Sequence, residues 1–477
     1  MSLMHGINVR EEATSVISMR TVDSAIPVVV GTAPINMGNL SNVNNPVICH
    51  TLAGAVTELG YVDDFSAGFS LCEAIYSQFQ LYGIAPVIFI NVLNPAEHKT
   101  DVAASVKTFA SNKITLEYGV LSSTVVVKSE DGETTYTVNT DYALSFDKDG
   151  KTVINKLGEA ITDSVSVSYT KLDPSLVTAE DIIGGIDVNT GKKTGLELIS
   201  EIFPRFRVVP GLLIAPGWSH DVSVASVLAA KSEKINGLFR AMSIADIQAE
   251  SVEKYSDIPA FKQQNSLVDE DMVLTWPKLK NGSKEFFQST HLAGLISEVD
   301  ANNGGIPYES PSNKNYKITG SVYNGEEVYL GLEEADYLNR NGIVTSLNWS
   351  NGWTSWGNRT AAFPDITDVK DNFIPIRRMF NWIQNTFILT YWQKIDFPIK
   401  KRNLKMIADS GTFWLNGLTS REFILGGRFE FREADNPLTD LMNGIVRFRV
   451  FVTPPSPMEQ LEFILEYDLT YVSTLFG

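Results

Sequence analysis

Cysteine, histidine, long apolar runs and positive charge are all scarce in this 477-residue chain, and each scarcity closes a functional class. Two cysteines, Cys49 and Cys72, cannot build a secreted disulfide framework or a four-ligand zinc site. The five histidines, His5, His50, His98, His220 and His291, are scattered, and none stands four residues from another as a helical metal pair requires. Cys49-His50 is adjacent but has no second pair, so it reads as ordinary structure. The longest apolar runs, such as 26–30 and 211–215, fall far short of the roughly 18–20 residues of a membrane span. No basic-then-apolar signal segment opens the chain, and Met4 reads as the native start behind Met1-Ser-Leu. The expectation is a soluble protein made in the cytoplasm. Lys and Arg total 39 against 56 Asp and Glu, a net charge of −17. Such a chain is repelled by phosphate backbones and anionic lipid.

Catalytic signatures are missing as well. The nearest approach to a phosphate loop is Gly185-Ile-Asp-Val-Asn-Thr-Gly191-Lys-Lys193-Thr194. Five residues separate its glycines instead of four, and Lys193 occupies the place of the magnesium-binding hydroxyl. Thr194 and Glu197 instead have the spacing of a capping box for a helix starting at Leu196. No G-x-S-x-G turn is present, so a common α/β serine hydrolase lacks its nucleophile. Asp63-Asp64 and Asp269-Glu270-Asp271 lack the alternation of an EF-hand loop and read as solvated charge. Trp349, Trp353 and Trp356, amid Gly and Ser, read as a turn packed on a core rather than a sugar platform. With no convergent set of titratable groups, the chain is expected to be no enzyme, with no cofactor and no metal.

What is present is a change of texture along the length. At roughly 100–200 residues per domain the chain holds two to four, and about three quarters of its unfolded surface could be buried in one body. Residues 1–24 read as an N-terminal arm, in which polar and apolar residues alternate and Ile7 and Val9 share one face. An α/β pattern follows over 25–111, with strands at 26–32 and 86–93 and helices at 66–82 and 100–110. Residues 112–181 are rich in Val, Thr, Ser and Tyr, with Asp131-Gly132 and Asp149-Gly150 turns, and read as an inserted, sandwich-like β module. The α/β pattern resumes over 182–365, with strands at 212–215, 239–244, 272–276 and 343–348 and helices at 222–235 and 286–299. Strands alternating with helices predict an α/β core on a mainly parallel sheet.

Residues 366–459 read as an α+β C-terminal domain. A long helix opens at Pro375, with the polar stripe Arg377, Arg378, Asn381, Gln384 and Asn385 opposite Ile376, Met379, Phe380, Ile383 and Phe387. A strand at 445–452 and the break Thr453-Pro-Pro-Ser-Pro457 come next. The last segment then alternates, with Phe463, Leu465, Tyr467, Leu469 and Tyr471 on one face and Glu466, Asp468 and Thr470 on the other, and 460–477 read as a C-terminal arm strand leaving the body. Charge is segregated. From Lys370 onward 13 Lys and Arg meet 12 Asp and Glu, so residues 1–369 carry −18. The one block of opposite sign is Lys400, Lys401, Arg402 and Lys405.

Nine stretches, in order and over most of the chain, resemble the contractile tail sheath proteins of phages and prophages. They are HGINVRE near the start, VVVGTAP (28–34), TGLELI (194–199), LLIAPGWS (212–219) and HLAGLISEVDANNGGIPYESPSNK (291–314). LNRNGIVTS (338–346), WTSWGNRTA (353–361), FIPIRRMFNWIQNTF (373–387) and TPPSPMEQLEFIL (453–465) complete the series. Residues 112–181 match nothing diagnostic, and Ser297 stands where the family often has Arg, which puts one local ion pair in question.

The resemblance implies a subtilisin-like core topology without protease chemistry. It implies subunits stacked as six-membered rings in a helical array around a rigid tube, with terminal arms adding strands to a sheet in the C-terminal domain of neighbours. Contraction of a metastable extended array would drive the tube through the host envelope. The implied partners are copies of itself, the tail tube protein, and baseplate and tail terminator proteins, with no direct nucleic acid and no membrane insertion. The implied location is the virion tail, after assembly in the host cytoplasm. Ile7, Val9, Phe463, Leu465, Tyr467 and Leu469 would lie on the arms, and Lys400, Lys401, Arg402 and Lys405 become candidates for facing an acidic tube. A bacteriocin-like or other phage-derived injection particle would use the same part. A β-module adhesin, with its function in 112–181, is the rival class.

Overall fold

The computed structural model describes residues 17–476. Short apolar segments build its central sheet: β1 (Pro27–Gly31), β2 (Val47–Cys49), β3 (Val87–Asn91), β4 (Leu212–Ile214), β5 (Met242–Asp246), β6 (Met272–Thr275), β7 (Ile343–Trp349) and β8 (Gly352–Trp356). Their order is β8-β7-β6-β5-β4-β1-β3-β2. The inner pairs are parallel, and the two edges, β7–β8 and β2–β3, are antiparallel. β1, β3, β4, β5 and β6 are buried along their whole length, as continuous apolar strands covered on both faces must be.

Helices cover the sheet. α1 (Leu52–Leu59) is capped by the Thr51 hydroxyl, which accepts the Gly54 N–H. α2 (Ser70–Ile75) runs on as a π turn to Leu81, within the helix predicted for 66–82. α3 (Val222–Glu233) is capped by Asp221. In α4 (Gln288–Asn302) twelve of fifteen residues are buried, so this helix is enclosed on nearly every side. Ser297 lies in it and donates within 2.8 Å of the Ala25 and Ala293 carbonyls. Among the described residues no helix is long and apolar enough to cross a membrane.

The helix predicted for 100–110 is a correction. Lys99–Thr108 is a strand, paired antiparallel with Ser164–Leu172, which also pairs with Val126–Ser129. Val102 and Val106 are four apart, which suits a helix. Pairing to Ser164–Leu172, whose Val165, Val167 and Tyr169 are buried, decides for the strand. A bulge between Val102 and Ser105 hides the alternation that would have marked it. A second three-stranded sheet joins Lys113–Thr115, Thr152–Lys156 and Tyr142–Phe146. The two sheets share a core of their own that includes Ile114, Val127, Tyr142, Ile154 and Val167.

Beyond the large sheet, α5 (Ile374–Tyr391) and α6 (Lys401–Ser420) pack with the hairpin β9 (Gly426–Glu430) and β10 (Arg449–Thr453). Met379, Trp382, Ile383, Leu415, Leu418, Ile424 and Phe429 form their core. Gly411 lets α6 lie on the hairpin, because a Cβ there would stand 2.4 Å from the Phe429 ring. The strand read at 460–477 is not formed among the described residues. Residues 461–468 carry no regular structure, and Leu469–Phe476 winds as a 3-10 helix. A strand needs a ladder partner for its backbone groups, and no described strand pairs with this segment.

Candidate assembly surfaces

The groups that could carry chemistry are tied into the fold. Burial pushes the thiols of Cys49 and Cys72 up to about 12. His98 accepts the Asn94 N–H on Nδ1 at 3.0 Å and approaches Asp181 through Nε2 at 3.5 Å. His291 contacts the Tyr82 hydroxyl at 3.1 Å, and burial pushes it down to about 3. His220 stacks on Phe287, His50 is exposed, and His5 lies outside the described residues. Among the described residues no three His, Cys, Asp or Glu converge on a metal-sized site. Two buried carboxylates serve the N-terminus of α4, where a helix favours negative charge. Asp246 accepts the Ser289 N–H (2.8 Å) and the hydroxyls of Ser289 (2.5 Å), Thr275 (2.9 Å) and Ser219 (3.1 Å). Four donors fill its lone-pair sites, which leaves none to act as a base. Glu73 accepts the Thr290 hydroxyl at 2.8 Å, and burial pushes its carboxyl up to about 8.

Other sequence candidates also resolve into structure. The glycine-rich stretch forms a small turn in which Ile186 bridges Lys193. Thr194 caps no helix: its Oγ1 accepts the Gly185 N–H at 3.0 Å, and Glu197 bonds Lys231 at 2.6 Å. The capping box stands earlier, at Thr178 and Asp181. Trp353 and Trp356 alternate across β8, Trp356 donating to Asp336 at 3.3 Å, while Trp349 is exposed at the end of β7. Three such rings form no common platform.

The polar stripe of α5 does not face water. Apart from the half-buried Gln384, it is buried against the α/β body. Arg378 grips Asp300, near the end of α4, at 3.1 and 2.5 Å and also donates to the Ser24 carbonyl at 3.2 Å. Arg377 donates to Asn381 (3.1 and 2.9 Å) and Asp371 (3.0 Å). Asn381 donates to Asp271 at 2.8 Å, and Arg240 reaches the same carboxylate through Nε at 3.0 Å. Asn385 holds the Arg240 backbone from both sides, accepting its N–H at 3.0 Å and donating to its carbonyl at 2.7 Å. The reading of Asp271 as solvated charge is therefore corrected: it is buried and paired. The apolar stripe of α5 packs the other way, with Phe387 meeting Trp414 and Phe429 at 5.5 Å between ring centres. Asp271, Asp300 and Arg240 were not singled out as sites from sequence. The acidic triplet and the helical polar stripe were visible signals, but neither names a partner.

The surfaces left uncovered lie in the C-terminal part. The β9–β10 hairpin has two strands only, so each keeps one edge without a described partner. Phe463, Leu465, Tyr467 and Leu469 are exposed, Phe463 by 77% and Leu465 by 93%. Trp392, Ile395 and Phe397 are exposed between α5 and α6. Lys400, Lys401, Arg402 and Lys405 are all exposed at the start of α6. Lys405 bonds Asp409 at 3.0 Å, whereas the other three make no ion pair among the described residues. Cations there add to the positive end of the helix dipole, so positive potential is concentrated at one tip. Ile7 and Val9 lie outside the described residues.

Most chemistry-bearing groups are thus closed into the interior, while an open hairpin and a largely apolar terminal segment are left bare. No protein-family model matches the chain. The tail sheath protein of Burkholderia phage BcepMu is 28% identical to it, over 99% of this chain and 98% of its own length. A putative prophage major tail sheath protein of Pseudomonas aeruginosa is 27% identical over 63% of this chain and 76% of its own. Among solved structures, a chain of the anti-feeding prophage baseplate superposes with a TM-score of 0.59 at 14% identity, covering 98% of this chain and all of that one. The sheath complex of the PVC extracellular contractile injection system, in its contracted state, gives 0.58 at 12%, covering 98% and 99%. At such identities the structural likeness is one of fold. Along almost its whole length the chain is thus similar to proteins named as phage and prophage tail sheath proteins, which are structural components and not enzymes.

Proposed function

We propose that this chain is the subunit of a contractile sheath that stacks in six-membered rings around a tail tube. The observation that carries this reading is the open β9–β10 hairpin in a chain that leaves residues 461–472 exposed, with Phe463, Leu465, Tyr467 and Leu469 bare. Two open edges can receive two arms. One strand from each of two neighbours, 1–24 and 460–477, would complete a four-stranded sheet held by main-chain hydrogen bonds. A contact made by arms that reach the next copy without closing yields a helical array. Numbering only the large sheet, its order runs 2-3-1-4-5-6-7-8, which supports the subtilisin-like topology. The same reading takes 25–365 as the body, with 112–181 inserted, and 366–459 as the unit beside the tube. Baseplate and terminator proteins would close the ends, in a tail assembled in the host cytoplasm. Contraction would repack the bodies while the arm links persist.

Removal of 461–477 is expected to leave a folded monomer that forms no rings or tubes in negative-stain micrographs. Polymers from that truncation would overturn the arm reading. The basic tip supplies a second test. Lys400→Glu with Lys401→Glu should abolish assembly on the tube while the sheath protein still self-associates, because only the tube contact depends on that charge. Unchanged tube-bound assembly would rule the tip out as the tube contact.

A further inference from the structure

We propose that Arg359 and Glu459 form a clasp that sets the direction in which the C-terminal arm leaves the body. This rests on the arm reading above and adds what holds the arm's root. After β10 the chain runs from Pro455 to Gln460 along a cleft of about 580 Å³, whose walls include Tyr308, Lys314, Asp336, Trp356 and Phe363. There the Glu459 carboxylate accepts from Arg359 Nη2 at 2.5 Å. Beyond it, residues 460–472 are exposed.

Arg359 is itself held from three sides. Its Nη1 donates to Asn372 at 2.9 Å, and its guanidinium lies 3.8 Å from the Phe373 ring centre and 4.4 Å from that of Phe363. Its backbone also bridges Phe373, the residue that opens α5. One side chain thus joins the loop after β8, the start of α5 and the arm. Stacking on aromatic faces fixes the guanidinium plane beforehand, so little freedom is lost when a carboxylate docks. The pair matters through leverage. At about 3.3 Å per residue, 461–472 reach about 40 Å, and a swing of about 15° at the root moves the tip by about 10 Å. That is twice the roughly 4.8 Å between paired strands, enough to miss an acceptor edge.

The test uses the full chain with Glu459→Gln and Glu459→Lys, substitutions at a surface side chain that leave the hydrophobic cores intact. Hydrogen exchange at 455–460 in the unassembled protein should rise in the order wild type, Gln, Lys. The critical concentration for polymerisation, read by sedimentation, should rise about two- to fivefold for Gln and roughly tenfold for Lys, as suits a partly exposed pair and then a like-charge contact. Unchanged exchange at 455–460 would show that Glu459 does not hold the root. Faster exchange with wild-type polymerisation would show that the root does not aim the arm. Either result overturns the clasp. Failure of the arm reading is separate: it would appear as polymers from the 461–477 deletion.

Discussion

Asp300→Ala should destabilise the unassembled protein by about 3–5 kcal/mol, the usual cost of removing one partner of a buried ion pair. Arg378 and Asp300 are both almost fully enclosed, with side chains 3% and 2% exposed. After the substitution the guanidinium would keep only the Ser24 carbonyl and its charge would stay buried. Asp300 sits in the last turn of α4, where the helix dipole disfavours a carboxylate, so Arg378 is what makes a charge tolerable there. A double change, Arg378→Met with Asp300→Leu, removes both charges and should recover much of the loss. Urea midpoints of the three proteins at one pH measure this directly. A single variant as stable as wild type would show that the seam between α4 and α5 carries no weight.

Glu73→Gln should abolish a loss of stability that the wild-type protein suffers as pH rises. Burial in the folded state pushes the Glu73 carboxyl from 4.5 to about 8; the nearby Asp246 charge raises it further, while the Thr290 hydroxyl, Lys278 and the Phe287 N–H oppose the shift. Between these values the unfolded chain is ionised at this site and the folded chain keeps its proton. The contribution is therefore fully present below about pH 4.5 and declines as pH rises to about 8, by several kcal/mol in total. Gln resembles the protonated acid and can still accept the Thr290 hydroxyl. Relative to wild type, the variant should gain stability steadily from pH 5 to pH 8 and no more above it. Other titrating groups are common to both proteins and cancel in the difference. A gap between the two proteins that stays constant over that range would refute the assignment.

The parts of the fold that were legible are those whose local pattern has one physical solution. Val28–Val30, Ile88–Ile90 and Leu212–Ile214 are too short and too apolar to be anything but strands covered on both faces. The helix starting near Pro375 was legible for the same reason, since its two stripes repeat at the helical period. What those stripes face was not. Arg377, Arg378, Asn381 and Asn385 give the same pattern beside water as beside Asp271 and Asp300. Only the second environment needs partners from 78 to 145 residues away in sequence. Lys99–Thr108 was misread because its bulge broke the alternation and its partner strand lies some 60 residues on.

Composition and order of motifs alone set the expectation of a structural subunit rather than an enzyme, and the likeness to a phage tail sheath protein over 99% of the chain agrees with it. Chemistry requires convergent groups of particular kinds, and their scarcity is visible without coordinates. The nine ordered stretches likewise carried the resemblance to sheath proteins, because a shared order over most of a chain is a property of sequence. Tertiary structure decided where the charges go. Asp271 and Asp300 became the seam beneath α5, Asp246 and Glu73 the support of α4, and Glu459 the partner of Arg359. Burial and pairing energies depend on which groups meet across long stretches of chain, and a one-dimensional pattern does not contain those distances.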